Sequence, residues 1–154
     1  MDRLEIGDKA PQFTLKDSKD ESVSLSSYRG QNVVLYFYPK DGTPGCTIEA
    51  QKFRNDYKEY LDHNTEIIGI SVDSEKAHEN FCTKYELSFT LLSDKNKEVV
   101  KLYGVLGKSL FGEGTKRVTF LIDENQSISN IWWKVNVLKH SKEVLDFIKN
   151  KENV

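Results

Sequence analysis

Short apolar runs bounded by polar residues mark the buried part of the chain. Val33–Tyr38 is apolar at every position, and Ile67–Val72 and Phe89–Leu92 are two further runs of this kind. A run without alternation is typical of a strand that is covered on both faces of a sheet. The pattern therefore predicts three interior strands, the first of which ends at Pro39 because proline has no backbone N–H to donate.

Helical spacing follows each of these runs. Apolar residues recur every three or four positions from about Cys46 to Asp62, which predicts the first helix. The helix after Ile67–Val72 carries one apolar line, and Cys82 lies on its flank, roughly 100° from the centre of that line. Two further helices are expected, one that ends at Gly104 and one near the C-terminus. The residues expected to cap the later helices are Asp73 or Ser74, Ser93 or Asp94, and Ser141.

The remaining segments predict hairpins and one loop. Alternating apolar residues in Gln12–Leu15 and Ser22–Leu25 indicate an N-terminal β-hairpin at the margin of the sheet. Val118–Ile122 and Ile128–Trp133 are joined by a short polar turn, which predicts antiparallel neighbours. Gly104–Gly114 contains four glycines, and we expect a mobile loop there.

The order of these elements indicates an α/β protein with a central mixed sheet flanked by helices. A parallel βαβ portion is followed by an antiparallel edge, an arrangement typical of a thioredoxin-like fold. The 154 residues suffice for one well-buried core and are too few for two ordinary domains, so we expect a single domain over residues 1–154.

Charge and hydropathy give no indication of a nucleic-acid or membrane partner. Charged residues make up 30% of the chain, are interleaved in sign and sum to a net charge of -2. No apolar stretch approaches the roughly 20 residues needed to cross a bilayer, and the N-terminal residues lack the apolar run of a signal peptide. We therefore expect a cytoplasmic protein.

Cys46 is the principal candidate for chemistry. It follows a loop with two prolines and two glycines and stands at the predicted start of a helix, where amide groups and a nearby cation favour a thiolate. Arg117, just before a predicted strand, is the candidate cation, and Thr43 can turn its hydroxyl toward the sulfur or toward an oxygen bound there. Taken singly, the three residues are also consistent with an inert thiol, a surface charge and a helix cap.

The spacing of these residues resembles a known active-site motif. Pro39-x-x-x-Thr43-x-x-Cys46, within FYPKDGTPGCTIE, is similar to the motif of peroxiredoxins, and TPGCT resembles the bacterioferritin comigratory protein or PrxQ subfamily. The resemblance extends over nearly the whole chain, through the segments GDKAPQFTL, IIGISVDS, FTLLSD and KRVTFLID.

The resemblance implies a thiol peroxidase that needs no metal, haem or flavin. Cys46 would be the peroxidatic cysteine, which attacks hydrogen peroxide or an organic hydroperoxide and becomes a sulfenic acid. Thr43 would hydrogen-bond the peroxide, Arg117 would stabilise the thiolate and the reacting oxygens, and Pro39 would shield the site from water. Glu49 would orient the arginine.

The resolving cysteine departs from the commoner pattern of the subfamily. Gln51 occupies the position five residues after Cys46 where many members have this cysteine, so the resemblance implies Cys82 and an intramolecular Cys46–Cys82 disulfide. A disulfide needs Cα atoms within roughly 7 Å. We therefore expect one or both helices to unwind locally when the bond forms, and thioredoxin or a glutaredoxin-like protein to reduce it.

Several alternatives stay open at the level of sequence. Cys82 could be a small core residue, which would leave a single-cysteine peroxidase that uses an external thiol. His78 and Cys82 share a helical face but are only two ligands of a metal site. Glu49 stands where a disulfide reductase would have the second cysteine of Cys-x-x-Cys. A redox sensor or holdase is the non-enzymatic alternative.

The expected oligomeric state is a monomer rather than a dimer. The resemblance implies this, although related peroxiredoxins dimerise. Trp132, Trp133 and Phe111 are the apolar side chains that we expect to be exposed and available for association.

Overall fold

The computed structural model of the protein describes residues 3–109 and 112–152. Its elements occupy the predicted stretches, with one hairpin added. The strands are β1 (Thr14–Asp17), β2 (Ser22–Ser24), β3 (Asn32–Phe37), β4 (Thr65–Ser71), β5 (Thr90–Ser93), β6 (Leu106–Ser109), β7 (Gly112–Thr115), β8 (Val118–Ile122) and β9 (Ile128–Trp132). The helices are α1 (Pro44–Asp62), α2 (Glu75–Tyr85), α3 (Glu98–Leu102) and α4 (His140–Glu152).

Seven of the strands form one mixed sheet in the order β2-β1-β5-β4-β3-β8-β9. The neighbours β3, β4 and β5 are parallel, whereas β8 and β9 on one side and β1 and β2 on the other are antiparallel. The parallel strands are joined by α1 and α2, as expected of βαβ units. The predicted mixed sheet and the N-terminal hairpin at its margin are therefore confirmed.

Helices cover both faces of this sheet, which explains the unbroken apolar run in β3. Val34 and Tyr36 pack into a hydrophobic cluster with residues of α1, α2 and α4. Val33, Leu35 and Phe37 point the other way and pack with residues of α3. Each apolar β3 side chain thus enters one of two cores, because alternate residues of a strand face opposite sides. None of the described helices combines the length and apolar character that a membrane crossing requires.

Gly69 allows the aromatic layer on the α1 side to form. It lies beside Tyr36 in the parallel register of β3 and β4. A Cβ at this position would lie 2.8 Å from the Tyr36 ring and 2.8 Å from the Leu91 side chain, well inside van der Waals contact. The absence of a side chain at Gly69 therefore lets the Tyr36 ring cross the neighbouring strand.

The prediction of a mobile loop at Gly104–Gly114 is wrong for the residues of this stretch that the structure describes. β6 and β7 form an antiparallel pair in which Leu106 lies opposite Thr115. The glycines conceal this hairpin in the sequence, because they carry no side chains whose alternation would indicate strands. Positions 110 and 111 lie outside the described residues.

The prediction that Trp132 and Trp133 are exposed is also wrong. Trp132 is partly buried and packs edge-on against His140 and Phe147. The ring of Trp133 packs against Phe120, and the guanidinium of Arg3 lies over it, 4.1 Å from its centroid. Phe111 lies outside the described residues, and the expectation for it stays a prediction.

The predicted helix caps have mixed outcomes. Ser74 caps α2, since its hydroxyl accepts the Ala77 N–H at 3.1 Å. The residue before α3 is Lys97, in a left-handed conformation, instead of Ser93 or Asp94, although the Asp94 carboxylate accepts the Val100 N–H at 2.8 Å. Ser141 does not cap α4 but lies inside it, where its hydroxyl donates to Asp56.

Candidate active site

The loop between β3 and α1 places Cys46 in the first turn of a long helix. Gly42 adopts a positive φ of 79°, a conformation that glycine tolerates best, and Thr43 is the N-cap. Pro44 follows as the first helical residue, where its missing N–H costs nothing. Cys46 is third in the helix and only 1% exposed, so it is buried within the first turn, where amide groups have no helical partners.

Arg117 brings a positive charge to the Cys46 sulfur. It directly precedes β8, whose first residue pairs with the last residue of β3, so it lies at the same end of the sheet as the loop. Its Nη2 donates to Cys46 Sγ at 3.3 Å, and its Nη1 donates to Glu49 Oε1 at 2.6 Å. A Cβ on Gly45 would lie 3.1 Å from this Nη2, so the glycine leaves room for the approach. The structure brings these predicted residues together.

The buried carboxyl of Glu49 and the guanidinium of Arg117 influence each other. Burial raises the pKa of Glu49 to about 7, although the Arg117 charge and hydrogen bond act in the opposite direction. Burial also opposes the charge on Arg117, but interaction with Glu49 and Cys46 outweighs it and raises the pKa of the guanidinium. Glu49 Oε2 has no partner among the described residues. The site therefore holds one permanent cation beside an acid that can exchange its proton near neutrality.

Thr43 and Pro39 lie on the loop but do not contact the sulfur through a hydrogen bond. The Thr43 hydroxyl donates to the Lys40 carbonyl at 2.8 Å instead of turning toward Cys46. Because its one proton is used there, its oxygen lone pairs can accept a hydrogen bond from a molecule beside the loop. Pro39 is exposed at the start of the loop.

Cys82 lies on α2, one helix away from Cys46 and on the same side of the sheet. Both thiols are free, and Cys82 packs at the margin of the hydrophobic cluster to which Cys46 belongs. Cys82 also lines an open cleft of about 750 Å³ between the N-terminal hairpin and α2. Burial and, next, the charge of Asp41 raise the pKa of its thiol to about 11, so in this conformation it is protonated near neutral pH.

A hydrogen-bonded pair between Asp41 and His78 was missed by the sequence analysis. The two side chains are 37 positions apart in sequence, yet His78 Nδ1 lies 2.6 Å from Asp41 Oδ2. In the part of the chain that the structure describes, one group of side chains has potential metal-ligand atoms within 4.8 Å of one another. It consists of Asp41, Asp73 and His78 and does not include Cys82. The alternative of a His78 and Cys82 metal pair therefore finds no support here, and His78 is bound to Asp41 instead.

Two further buried polar side chains near the site were also missed. The Tyr36 hydroxyl is buried without a partner among the described residues, and burial followed by the charges of Glu49 and Cys46 raises its pKa. His140 lies with Nε2 2.7 Å from the Thr119 hydroxyl, and burial followed by the Arg117 charge lowers its pKa to about 4. In the sequence, Tyr36 is marked only by its hydroxyl within an apolar run, and His140 stands among polar residues that do not indicate its burial.

Comparison with known proteins agrees with this geometry. The model of the AhpC/TSA family matches residues 6–131. The chain belongs to this family. It is 49% identical to a putative peroxiredoxin bcp of Coxiella burnetii, over 92% of this chain and 97% of that protein. The protein is therefore a peroxiredoxin, an enzyme of the thiol peroxidase class, and the resemblance stated from its motifs is confirmed.

Solved structures of the same family confirm the fold of this peroxiredoxin. A cysteine-to-serine mutant of Xylella fastidiosa PrxQ superimposes with a TM-score of 0.94 at 34% identity, covering 99% of each chain. The bacterioferritin comigratory protein of Xanthomonas campestris, described for its alkyl peroxide reduction activity, gives a TM-score of 0.85 at 33% identity over 90% of this chain and 91% of that one. The thioredoxin-like fold of the sequence analysis is thus confirmed.

Proposed function

We propose that this peroxiredoxin reduces hydrogen peroxide and organic hydroperoxides with Cys46 as the attacking thiolate. The sulfur attacks one peroxide oxygen, the O–O bond breaks, and the released alkoxide or hydroxide takes a proton to leave as alcohol or water. The observation that carries the proposal is the hydrogen bond from Arg117 to the buried Cys46 sulfur at a helix start. The activity described for the Xanthomonas campestris relative supports the inclusion of organic hydroperoxides.

The residues around Cys46 have separate roles in this proposal. Arg117 stabilises the thiolate and then the charge that develops on the peroxide oxygens, and Glu49 fixes the direction of the guanidinium. Thr43 accepts a hydrogen bond from the peroxide O–H while its own hydroxyl proton is donated to the Lys40 carbonyl. Pro39, which has no N–H to bind water, covers the entrance of the loop.

Cys82 is the proposed resolving cysteine. Its thiolate attacks the sulfur of the Cys46 sulfenic acid, a disulfide forms, and the oxygen leaves as water. The Cα atoms must come within about 7 Å, and each cysteine lies inside a helix, so we propose local unwinding of α1, α2 or both. Unwinding also removes the burial that keeps the Cys82 pKa near 11.

A dithiol protein of the thioredoxin or glutaredoxin type is the proposed reductant of the Cys46–Cys82 disulfide. A cycle that ends with two thiols needs a reducing compartment, which supports a cytoplasmic location. We propose that the enzyme acts as a monomer on soluble peroxides, without a nucleic-acid or membrane partner. The partial burial of Trp132 and Trp133 supports the monomer, since it removes two of the apolar side chains considered for association.

Kinetics with two single-cysteine variants tests this scheme. We expect Cys46→Ser to lose peroxide consumption and Cys82→Ser to keep one rapid turnover but lose NADPH-coupled turnover with thioredoxin and its reductase. Peroxide-treated wild type should yield the Cys46–Cys82 linked peptide in non-reducing mass analysis. Cys46→Ser that consumes peroxide at the wild-type rate would contradict the role of Cys46.

The single-cysteine alternative is favoured by one observation, the packing of Cys82 against a hydrophobic cluster. It predicts that Cys82→Ser turns over as fast as wild type when a small thiol such as dithiothreitol is supplied, and that no linked peptide forms. A redox sensor or holdase instead predicts oxidation of Cys46 without sustained turnover in the wild type.

A further inference from the structure

The loop of Cys46 and the helix of Cys82 are joined by a buried side-chain contact, which we call the Asp41–His78 link. Asp41 follows β3 on the loop, and His78 lies in α2, one turn before Cys82. The side chain of His78 is fully buried and that of Asp41 is 7% exposed, and their Oδ2 and Nδ1 atoms are 2.6 Å apart. No role in the peroxidase scheme above uses this contact.

The protons of the link can be assigned from its partners. His78 Nε2 lies 2.9 Å from the carbonyl oxygen of Leu92, which can only accept, so Nε2 carries a hydrogen. Asp41 Oδ1 accepts the Tyr38 hydroxyl at 2.6 Å. The 2.6 Å contact between Nδ1 and Oδ2 must then contain one further proton, and the pair is neutral as a unit. Removing either side chain would leave a buried group without its charged partner.

The link is also fixed to the end of the sheet. The Asp41 N–H donates to Asp73 Oδ2 at 2.9 Å, and the Ser71 hydroxyl donates to the same oxygen at 2.7 Å. The Ser93 hydroxyl donates to the Asp73 carbonyl. Asp41 is therefore fixed on its backbone side by residues at the ends of β4 and β5, and its side chain extends this network to α2.

The contacts of His78 restrain the movement of α2. Cys82 is four residues after His78, so unwinding the turn that presents Cys82 strains or breaks the contacts of His78 with Asp41 and with Leu92. The link therefore adds to the free energy of opening α2 while leaving Cys46 and Arg117 untouched. The charge of Asp41 also contributes to the raised pKa of the Cys82 thiol. Asp41 therefore disfavours the reaction of Cys82 in two ways, by holding α2 folded and by disfavouring the thiolate.

We propose that Asp41 and His78 are positioning residues that hold α2 in its folded conformation and thereby limit the rate at which Cys82 reaches oxidised Cys46. This inference rests on the proposed role of Cys82 as the resolving cysteine. It extends that role by naming the contact that controls the second step of the cycle.

The link then decides how the enzyme responds to excess peroxide. A Cys46 sulfenic acid either condenses with Cys82 and releases water, or is oxidised by a second peroxide to a sulfinic acid while that peroxide is reduced to alcohol or water. The slower the opening of α2, the larger the sulfinic fraction at a given peroxide concentration. Weakening the link should therefore protect Cys46 from this second oxidation.

Stopped-flow fluorescence of Asp41→Asn and His78→Gln tests the proposal. After mixing the reduced enzyme with peroxide, the first phase, whose rate depends on peroxide, reports oxidation of Cys46, and the second, independent of peroxide, reports the disulfide. We expect the second phase to become about tenfold faster in either variant, because each loses a buried ionic contact. The first phase should stay within about a factor of two. The sulfinic fraction at high peroxide, measured by mass analysis, should fall.

Matched variants separate the link from a general loosening of α2. Lys76→Gln removes an exposed ion pair of the same helix, between Lys76 and Glu79 at 3.5 Å, and should leave both phases unchanged. The double variant Asp41→Asn/His78→Gln should be no faster than the faster single variant, because both changes remove one contact. Tyr38→Phe removes only a hydroxyl that contacts both members of the link, at 2.6 Å from Asp41 Oδ1 and 3.4 Å from His78 Nδ1. It should give a smaller acceleration and is used if the other variants fail to fold.

Hydrogen exchange of α2 amides in the reduced enzyme keeps the two proposals distinguishable. If peroxide-treated wild type forms no Cys46–Cys82 peptide, the role of Cys82 fails, and exchange still reports the link without any peroxide. We expect roughly tenfold faster exchange in α2 for Asp41→Asn than for Lys76→Gln. The inference is overturned if Asp41→Asn and His78→Gln exchange their α2 amides at the wild-type rate and also show the wild-type rate of the second phase. If these two variants do not fold, the same result for Tyr38→Phe overturns it.

Discussion

Arg117 suits its position because its planar fork satisfies two acceptors at once. One nitrogen donates to the Cys46 sulfur and another to the Glu49 carboxylate, so the carboxylate fixes the direction from which the cation approaches the thiolate. A lysine has a single point of charge and cannot make both contacts in the same geometry. At the residue scale, the site therefore depends on the shape of the cation as well as on its charge.

Arg117→Lys tests this requirement directly. We expect the second-order rate constant for Cys46 oxidation to fall about 100-fold or more, as when one preorganised donor is removed from an active site. The first phase of stopped-flow fluorescence with hydrogen peroxide measures it. Arg29→Lys, the same change at an exposed position, is the control and should react as wild type does. A rate for Arg117→Lys within threefold of wild type would show that charge alone suffices.

At the scale of elements, the strands and long helices could be predicted because their burial leaves a periodic pattern. β3 and α1 follow from an unbroken apolar run and from apolar residues at helical spacing, and together they present Cys46. β6 and β7 could not be predicted, since glycines leave no alternation to detect. The N-cap of α3 was predicted at Ser93 or Asp94 but is Lys97, and Asp94 reaches the helix only through its side chain, from four residues before Glu98.

The site was predictable only where residues are adjacent or belong to a recognised motif. Arg117 was named as the candidate cation from its position before a predicted strand, and the resemblance to peroxiredoxins then implied its role and added Glu49. The Asp41–His78 link depends on contact between a loop and the next helix, and nothing local in either segment indicates it. Long-range polar contacts of this kind follow from the packing of α2 on the sheet, which the sequence pattern does not specify.

Gly69 provides a stability test at this scale. Gly69→Ala would place a Cβ 2.8 Å from the Tyr36 and Leu91 side chains, and we expect a loss of about 1–3 kcal/mol in the free energy of unfolding from overpacking. Urea titration measures it. Gly114→Ala is the control, because a Cβ there meets nothing within 4 Å, and it should change stability by at most about 0.5 kcal/mol. Equal stability of the two variants would contradict the close packing at Gly69.

At the scale of the whole molecule, the charge of Arg117 acts on residues from separate parts of the chain. It lies beside β8, yet it influences Glu49 in α1 and His140 at the start of α4. The pKa of Glu49 is raised to about 7 from an ordinary value of 4.5, chiefly by burial. The pKa of His140 is lowered to about 4 from 6.5, again chiefly by burial. Both residues therefore prefer to be neutral in the folded protein.

These two preferences have opposite signs in the pH dependence of stability. A carboxyl whose pKa rises on folding contributes stability that is complete below pH 4.5 and is lost as the pH rises through 7. A histidine whose pKa falls on folding contributes stability that is complete above pH 6.5 and is lost as the pH falls through 4. Between pH 4.5 and 6.5 the two contributions change by about 1.4 kcal/mol per pH unit in opposite directions and cancel.

Single variants should reveal this cancellation. On going from pH 6.5 to 4.5, the free energy of unfolding of Glu49→Gln should fall by about 2–3 kcal/mol relative to wild type, because the gain from Glu49 is absent. That of His140→Gln should rise by a similar amount relative to wild type, and the double variant should again follow wild type. Urea titrations at pH 4.5, 5.5 and 6.5 measure these differences, and groups common to all four proteins drop out of the comparison. If the free energy of unfolding of both single variants changes with pH as that of wild type does across this range, neither residue is held neutral by the fold.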